Sequence, residues 1–154
     1  MNFYTKFFLS QCIFFSCERS QTISSCENLV NEQWNREDIL QNYLTVGEHN
    51  ANGSLTVDVY YGVEVQYQNI FLWVRLSDIE GTVVFEKKDL MLMLFDAKTG
   101  VPLGRKIFEE QHLEFLVEKS LKIKKGIYKI KISQITRAEN LCGIKKIKTK
   151  LCLL

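Results

Sequence analysis

The residue types that most often perform catalysis are few in this chain, and their spacing does not assemble a site. The 154 residues include two histidines, His49 and His112, and the sequence identifies a partner for neither. Glu109 and Glu110 would point to opposite faces of a strand, so they do not form an acid–base pair. The glycine and nucleophile motifs of phosphate-binding loops, dinucleotide-binding folds and serine hydrolases do not occur. The sequence therefore predicts a protein that is not an enzyme and uses no cofactor. An enzyme is the alternative only if the fold brings together residues that are not close in sequence.

The cysteines do not have the spacing of a metal site. No Cys-x-x-Cys pair occurs, and no pair of histidines completes a ligand set. We therefore predict no metal site. The five cysteines are Cys12, Cys17, Cys26, Cys142 and Cys152.

One of these cysteines lies where a lipid could be attached. Lys6 precedes an apolar segment over residues 7–15, which has the length of the hydrophobic part of an export signal. A membrane-spanning helix would need roughly 20 apolar residues. Ser16 and Cys17 follow, and a small residue before a cysteine resembles the cleavage and lipidation site of bacterial lipoproteins, although two phenylalanines precede Ser16. We predict a signal peptide over residues 1–16 and lipidation at Cys17. The alternative is a hydrophobic strand or helix packed on the domain.

The basic residues concentrate in the last third of the chain, where many alternate with apolar residues. Such lysines would form a stripe on one face of a sheet. The stripe could contact phosphate, anionic lipid or an acidic protein, or it could be a solvated face that blocks edge-to-edge aggregation. A net charge of only +2 argues against a nucleic-acid partner, and so does the lack of arginine and aromatic residues on the predicted face of the lysine stripe. The lysines are Lys119, Lys122, Lys124, Lys125, Lys129, Lys131, Lys145, Lys146, Lys148 and Lys150.

Strands must position these residues, because apolar and polar residues alternate with period two along most of the chain. About eight such runs, separated by Gly-containing turns and with no long amphipathic helix, point to an antiparallel sandwich or barrel. We predict an all-β fold, a jelly-roll-like antiparallel β-sandwich with at least seven strands from Ile39 onward in two packed sheets. The predicted runs include 39–46, 82–85, 90–95 and 113–117, with a possible helical turn at 103–110. We expect Leu72, Val74, Tyr128, Ile130 and Ile132 to face the interior, and Lys129 and Lys131 to face solvent.

The composition of residues 18–33 differs from that of the rest of the chain. This segment is polar and contains few large apolar residues, so we interpret it as a tether. The predicted layout is a signal peptide over 1–16, a lipidated tether over 17–33 and the β-sandwich domain over 34–154.

The aromatic residues allow a second interpretation of function. They could line a sugar-binding face, although strand-borne aromatics more often pack in a core or on a sheet face. This alternative is a periplasmic or surface lipoprotein whose sandwich binds carbohydrate or peptide. The residues concerned are Trp34, Tyr60, Tyr61, Tyr67, Phe71 and Trp73.

Several short motifs resemble those of the GldH-type gliding motility lipoproteins of Bacteroidota. They lie at residues 34–39, 69–76, 96–104, 126–134 and 137–144, and together they span most of the chain. The resemblance implies a membrane-anchored, non-enzymatic component of the gliding machinery, which is linked to type IX secretion. It also implies a cell-envelope location, periplasm-facing or on the outer membrane. Its partners would be other gliding motility proteins, with no small-molecule substrate.

The segment most similar to the family contains two residues that we expect to hold a structural loop, Arg137 and Gly143. Arg137 lies between two alternating runs and offers a planar donor of fixed charge. We expect its guanidinium to bond backbone carbonyls or a carboxylate and so to hold the crossover over residues 134–144 in place.

Overall fold

The computed structural model describes residues 21–47 and 51–153, which form eleven β-strands and one 3-10 turn. All the strand pairs are antiparallel. The predicted all-β class is confirmed. The strands are β1 (Gln21–Asn28), β2 (Gln33–Asn35), β3 (Ile39–Val46), β4 (Ala51–Tyr61), β5 (Asn69–Asp78), β6 (Val83–Met93), β7 (Arg105–Ile107), β8 (Glu110–Ile123), β9 (Gly126–Gln134), β10 (Asn140–Cys142) and β11 (Ile144–Leu153), and the 3-10 turn is Val30–Glu32.

Two sheets pack face to face as the predicted sandwich. The five-stranded sheet has the order β1-β11-β4-β8-β7, the four-stranded sheet has the order β3-β9-β5-β6, and β2 pairs with β10. Nine strands lie from Ile39 onward, which exceeds the seven that the sequence predicted. Among the described residues, no helix is long and apolar enough to cross a membrane.

The core lies between the two sheets, and alternation decides which side chains enter it. The five residues predicted to face the interior (Leu72, Val74, Tyr128, Ile130 and Ile132) are all buried. Lys129 and Lys131 alternate with three of them on β9 and point to the outer face, where their stems are half-buried. The predicted phase of these strands is confirmed.

The predicted tether is wrong from Gln21 onward, because this segment is the first strand of the sandwich. β1 pairs with β11 along its whole length, with Gln21 opposite Leu153. β1 is an edge strand in which only Ile23 packs against the core. It is held by the ladder and by a 2.6 Å hydrogen bond between the Ser25 and Thr149 hydroxyls. A strand of this kind lacks a hydrophobic signature. The predicted signal peptide and Cys17 lie outside the described residues.

Two further predictions are corrected in the second half of the chain. The runs 82–85 and 90–95 belong largely to one strand, β6, whose polar middle is tolerated because β6 is an edge strand. The segment 103–110 is not a helical turn. It contains β7, which pairs with the start of β8 around a tight turn, and Phe108 in that turn has a φ of +54°.

Candidate functional site

Gly143 joins β10 to β11 in a conformation and a space that suit glycine. Its φ is +83°, in the left-handed region that side chains disfavour. A Cβ there would lie 2.8 Å from Val65 Cγ2 and 3.0 Å from the Val65 nitrogen. The Gly143 N–H donates to the Glu32 carbonyl, and its own carbonyl accepts from the Gly62 N–H, both at 2.9 Å. Gly143 therefore ties the last strand to two separate loops.

Arg137 does not hold the crossover, so its predicted role is wrong. Its side chain is exposed, and no described residue forms a hydrogen bond or an ion pair with it. Arg36 supplies the arginine contact instead, because its Nη2 donates to the Thr136 carbonyl over 2.8 Å. The start of the crossover, at Thr136, is therefore bonded to the segment between β2 and β3.

The residue that organises the crossover is Gln134, which the sequence analysis missed. Its side chain is fully buried, and its Oε1 accepts a 3.0 Å hydrogen bond from the Thr136 N–H. Its Nε2 faces the Trp34, Ala138 and Glu139 carbonyls at 3.2 to 3.4 Å. A signal was present in the alternation of β9, because the phase that puts Tyr128 and Ile132 inside also puts residue 134 inside.

A second candidate site is a cluster of charges on the outer face of the five-stranded sheet. Register places Tyr60 of β4 opposite His112 of β8 and Lys146 of β11, and it places Asp58 opposite Glu114. The Asp58 side chain is only 2% exposed although it points away from the core. The surrounding side chains cover it.

The contacts in this cluster form a continuous charged network. Lys150 Nζ lies 3.0 Å from Asp58 Oδ2 and also pairs with Glu114. His112 Nε2 lies 3.3 Å from the same Asp58 oxygen. The His112 ring stacks on the Tyr60 ring, with 4.5 Å between their centroids. The Lys146 ammonium group lies over the Tyr60 ring, 3.8 Å from its centroid.

The network shifts the pKa values of Glu114, Lys150 and Tyr60. The hydrogen bond from Lys150 lowers the pKa of Glu114. Burial alone would lower the pKa of Lys150, but its bonds to Glu114 and Asp58 outweigh burial and raise it. Burial, with the nearby Asp58 carboxylate, raises the pKa of the Tyr60 phenol. All three groups therefore keep their ordinary neutral-pH charge state more firmly.

The chemistry of this cluster is that of a cross-strand brace. Its central carboxylate, that of Asp58, faces two basic side chains and is almost completely buried, and Lys150 joins β11 to both β4 and β8. In the part of the chain that the structure describes, no bond reaches Asp58 Oδ1 or Thr56 Oγ1. Also within residues 21–47 and 51–153, no group of three or more His, Cys, Asp and Glu residues could hold a metal ion.

The outer face of the four-stranded sheet has a different character, because three large apolar side chains are exposed on it and two aromatic side chains, Phe71 and Trp73, are half-buried beside them. We call this set the apolar patch: Ile39, Phe71, Trp73, Met91 and Ile135. Pairing brings them together, since Phe71 lies opposite Met91, and Ile39 and Trp73 both lie opposite Ser133. Ile39 is 54% exposed, Met91 50% and Ile135 42%. The Trp73 indole donates to Glu86 over 2.9 Å, which fixes its orientation.

The aromatic residues predicted as a possible sugar-binding face do not share one face. Trp34 and Tyr61 are fully buried in the core, whereas Tyr60 lies on the outer face of the other sheet. Phe71 and Trp73 remain together on the four-stranded sheet. Beside them is an open cleft of about 410 Å³, lined by Tyr67, Asn69, Phe71, Ile135, Thr136 and Arg137.

The comparisons with known proteins give one family. The model of the GldH lipoprotein family matches residues 21–150. No curated protein matches the chain.

Several solved structures are similar to the chain at low identity. Eiger TNF from S. frugiperda is 9% identical with a TM-score of 0.47, over 88% of this chain and 92% of that chain. A cellulose-specific carbohydrate-binding module, CBM28, is 11% identical with a TM-score of 0.44, over 82% and 71%. Latent PorU from Porphyromonas gingivalis is 5% identical with a TM-score of 0.39, over 87% and 13%. At TM-scores below 0.5, these likenesses carry no argument about function.

Proposed function

Since the chain belongs to the GldH lipoprotein family, we propose that it is a component of the bacterial gliding motility machinery that acts by binding other proteins of the cell envelope. In this proposal it is linked to type IX secretion through the shared machinery and performs no catalysis. It needs no cofactor or small-molecule substrate. A lipid on Cys17 holds it at the membrane.

The observation that supports protein contact is the apolar patch. Contiguous exposed apolar side chains on a soluble domain mark interaction surfaces. Trp and Tyr are also among the residues that contribute most to binding energy. Trp73 lies in the patch, and Tyr43 is exposed on the same face, with Lys129 over its ring at 5.8 Å. The patch is therefore a rigid, aromatic surface with basic neighbours, which suits a protein partner.

The two outer faces can be compared directly. On the five-stranded sheet, Asp58, Glu114 and Lys150 satisfy one another's charges within the sheet. Among the described strand residues of that sheet, Leu116 is the one large apolar side chain that is exposed, whereas Ile39, Tyr43 and Met91 are all at least half exposed on the four-stranded sheet. Burial against a partner would gain about 25 cal/mol for each Å² of apolar surface removed from water. The four-stranded sheet is therefore the binding face in our proposal.

The test of this face introduces positive charges into the apolar patch and measures the effect in gliding cells. Ile39→Lys and Met91→Lys replace exposed side chains, so we expect the domain to fold and the protein to reach its normal level. We expect these variants to lose crosslinked partners and gliding. The matched control is Leu116→Lys, because Leu116 is 58% exposed on the outer face of the other sheet. Normal crosslinking and gliding with both patch variants would contradict the proposal.

The anchor is tested separately by changing the cysteine. We expect Cys17→Ser to release the protein from membranes or to leave its precursor uncut, because the lipid is attached through this thiol. Cys12 is the competing site, but Ser10 and Gln11 before it suit cleavage poorly, so Cys12→Ser should change little. Mass spectrometry that finds an intact, unmodified Met1 in the mature protein would contradict the lipid anchor.

One observation favours a second candidate function. The cleft beside Phe71 combines aromatic and apolar side chains with the Asn69 amide and the Arg137 guanidinium, a mixture that suits a carbohydrate or a peptide. Trp34 is buried, so Trp73 is the tryptophan that could take part. Glycan-array binding that is lost in Trp73→Ala, with crosslinking to gliding proteins unaffected, would favour this function over the first.

A further inference from the structure

One end of the sandwich is fixed close to the predicted lipid anchor by the pairing of β1. We call this the anchored end. Gln21 lies opposite Leu153, Leu153 lies opposite Gly53, and Gly53 lies opposite Leu121. The start of β1, the end of β11, the start of β4 and the end of β8 therefore meet there. The short connection from β8 to β9 brings Gly126 to the same end.

The distance from this end to the anchor is short by covalent geometry alone. Four Cα steps separate Cys17 from Gln21, and an extended chain spans at most about 3.6 Å per residue, or about 14 Å in total. A free tether over residues 17–33 would have allowed the domain to stand several times farther away. Because β1 is part of the sheet, a lipid on Cys17 would hold the anchored end beside the headgroups.

The anchored end is basic where β8 turns into β9. Lys119, Lys122, Lys124 and Lys125 are all exposed, and residues 119–125 contain no acidic residue. Lys124 and its neighbours are fixed in the turn, because the Tyr128 hydroxyl accepts from the Lys124 N–H and donates to the Lys124 carbonyl. The lysines are thus presented on a defined turn.

Within residues 21–47 and 51–153, three acidic groups near the turn partly offset these charges. The Asp78 carboxylate accepts a 2.7 Å hydrogen bond from the Thr82 N–H. The Glu118 carboxylate accepts from the N–H groups of Lys119 and Ser120. Glu80 is exposed and lines the same cleft as Lys124.

Two apolar side chains complete this end. Ile79 is 55% exposed and Ile127 is 44% exposed, and both line a cleft that Lys124 and Lys125 also line. Lysines beside exposed isoleucines combine attraction to anionic headgroups with apolar surface for the interfacial layer.

We propose that the anchored end is a membrane-contact surface whose lysines bind the anionic lipid headgroups of the membrane that holds the anchor. This inference rests on the proposed lipid at Cys17. The lipid brings the anchored end close to the headgroups, and the lysines add an electrostatic attraction that keeps this end in contact with them. A lysine near an anionic surface contributes about fivefold in partition.

The test measures lysine reactivity in the full-length lipidated protein, purified from membranes and reconstituted into vesicles. An amine-acetylating reagent and mass spectrometry give a rate for each lysine. In vesicles that contain phosphatidylglycerol, we expect the four lysines of the anchored end to react about fivefold more slowly than in vesicles of phosphatidylcholine alone. These are Lys119, Lys122, Lys124 and Lys125. Lys98 and Lys106 near the other end should react equally in both. High salt should remove the protection, since the Debye length falls to about 3 Å at 1 M.

Variants show whether the lysines themselves cause the contact, with Lys119 as the reporter. The triple change Lys122→Gln, Lys124→Gln and Lys125→Gln should abolish the protection of Lys119. The matched control is the triple change Lys98→Gln, Arg105→Gln and Lys106→Gln, which removes the same number of exposed charges and should preserve it.

The outcomes separate this inference from the proposed function. Absence of lipid on Cys17 would overturn the anchor, and this inference with it. If the protein is lipidated but its lysines are unprotected in both kinds of vesicle, the inference alone is overturned. Lysines that are protected to the same extent in both kinds of vesicle would also overturn it, because the contact would not depend on anionic headgroups. Protection that appears only in native membranes with their proteins would assign the surface to a protein partner instead.

Discussion

Replacing Gly143 by alanine combines two costs that the structure allows to be separated. The first is conformational, since a φ of +83° is left-handed and costs a non-glycine residue about 1–2 kcal/mol. The second is steric, since the new Cβ would lie 2.8 Å from Val65 Cγ2 and 3.0 Å from the Val65 nitrogen. Overpacking of this kind costs about 1–3 kcal/mol. We therefore expect Gly143→Ala to lower the free energy of unfolding by about 2–5 kcal/mol.

The matched control is Gly100→Ala. Gly100 has a φ of +67°, and a Cβ there would meet nothing within 4 Å. This variant carries the conformational cost alone, so it should lose about 1–2 kcal/mol. The difference between the two variants measures the steric cost at Gly143.

The assay is urea unfolding of the purified protein followed by tryptophan fluorescence, with Trp34 as a buried reporter. In a double-mutant cycle, Val65→Ala should recover part of the loss of Gly143→Ala, because it removes Cγ2 but leaves the backbone nitrogen in place. Equal losses in Gly143→Ala and Gly100→Ala would refute the steric argument. The steric argument would also be refuted if the losses of Gly143→Ala and Val65→Ala simply added up in the double variant.

The other predictions concern the core, the crossover and the charged cluster. Leu72→Ala should lower the free energy of unfolding by about 2–5 kcal/mol, whereas Lys129→Ala on the outer face should cost under about 0.5 kcal/mol; urea titration checks both. Gln134→Leu should cost about 1–3 kcal/mol, because it removes the side-chain partners of the Thr136 N–H and the Ala138 carbonyl. Because the pKa of Glu114 is lowered in the folded protein, the stability that its ionised carboxylate contributes is lost as the pH falls through that pKa. Because the pKa of Lys150 is raised, the stability that its ammonium group contributes is lost as the pH rises through that pKa. The stability difference between the wild type and Lys150→Met, measured against pH, should therefore be largest at neutral pH and shrink at both extremes.

Alternation predicted the parts of the fold in which one face of a strand is buried. The phase of residues 128–132 was correct because the core requires Tyr128, Ile130 and Ile132 on one side. β3 was also predicted with its observed bounds, Ile39–Val46. The edge strands of the two sheets were harder to predict. β1 and the middle of β6 have little to bury, so their sequences carry no periodic signal, and the backbone ladder holds them instead.

The charged cluster and the crossover depend on contacts that local sequence does not encode. Asp58 meets Lys150 only because β4 and β11 are neighbours in a particular register, although 92 positions separate the two residues. Arg137 was chosen for its charge, but the sharp turn leaves it in solvent. The neutral Gln134 does the bonding because the phase of β9 carries it inside. In a crossover, the direction of the side chain decides its role more than its chemistry does.

The positions of the apolar patch and the anchored end together constrain the partner. β3 runs from Ile39 in the patch to Val46 at the anchored end, and seven steps of about 3.3 Å place the two about 23 Å apart. In the arrangement that the two proposals describe, with a lipid on Cys17 and the lysines near the β8–β9 turn on the headgroups, the strands would rise away from the membrane. The patch would then face sideways, about 20 Å or more above the surface. A partner buried entirely within the bilayer would not reach it, so we expect the protein that binds this face to extend to that height.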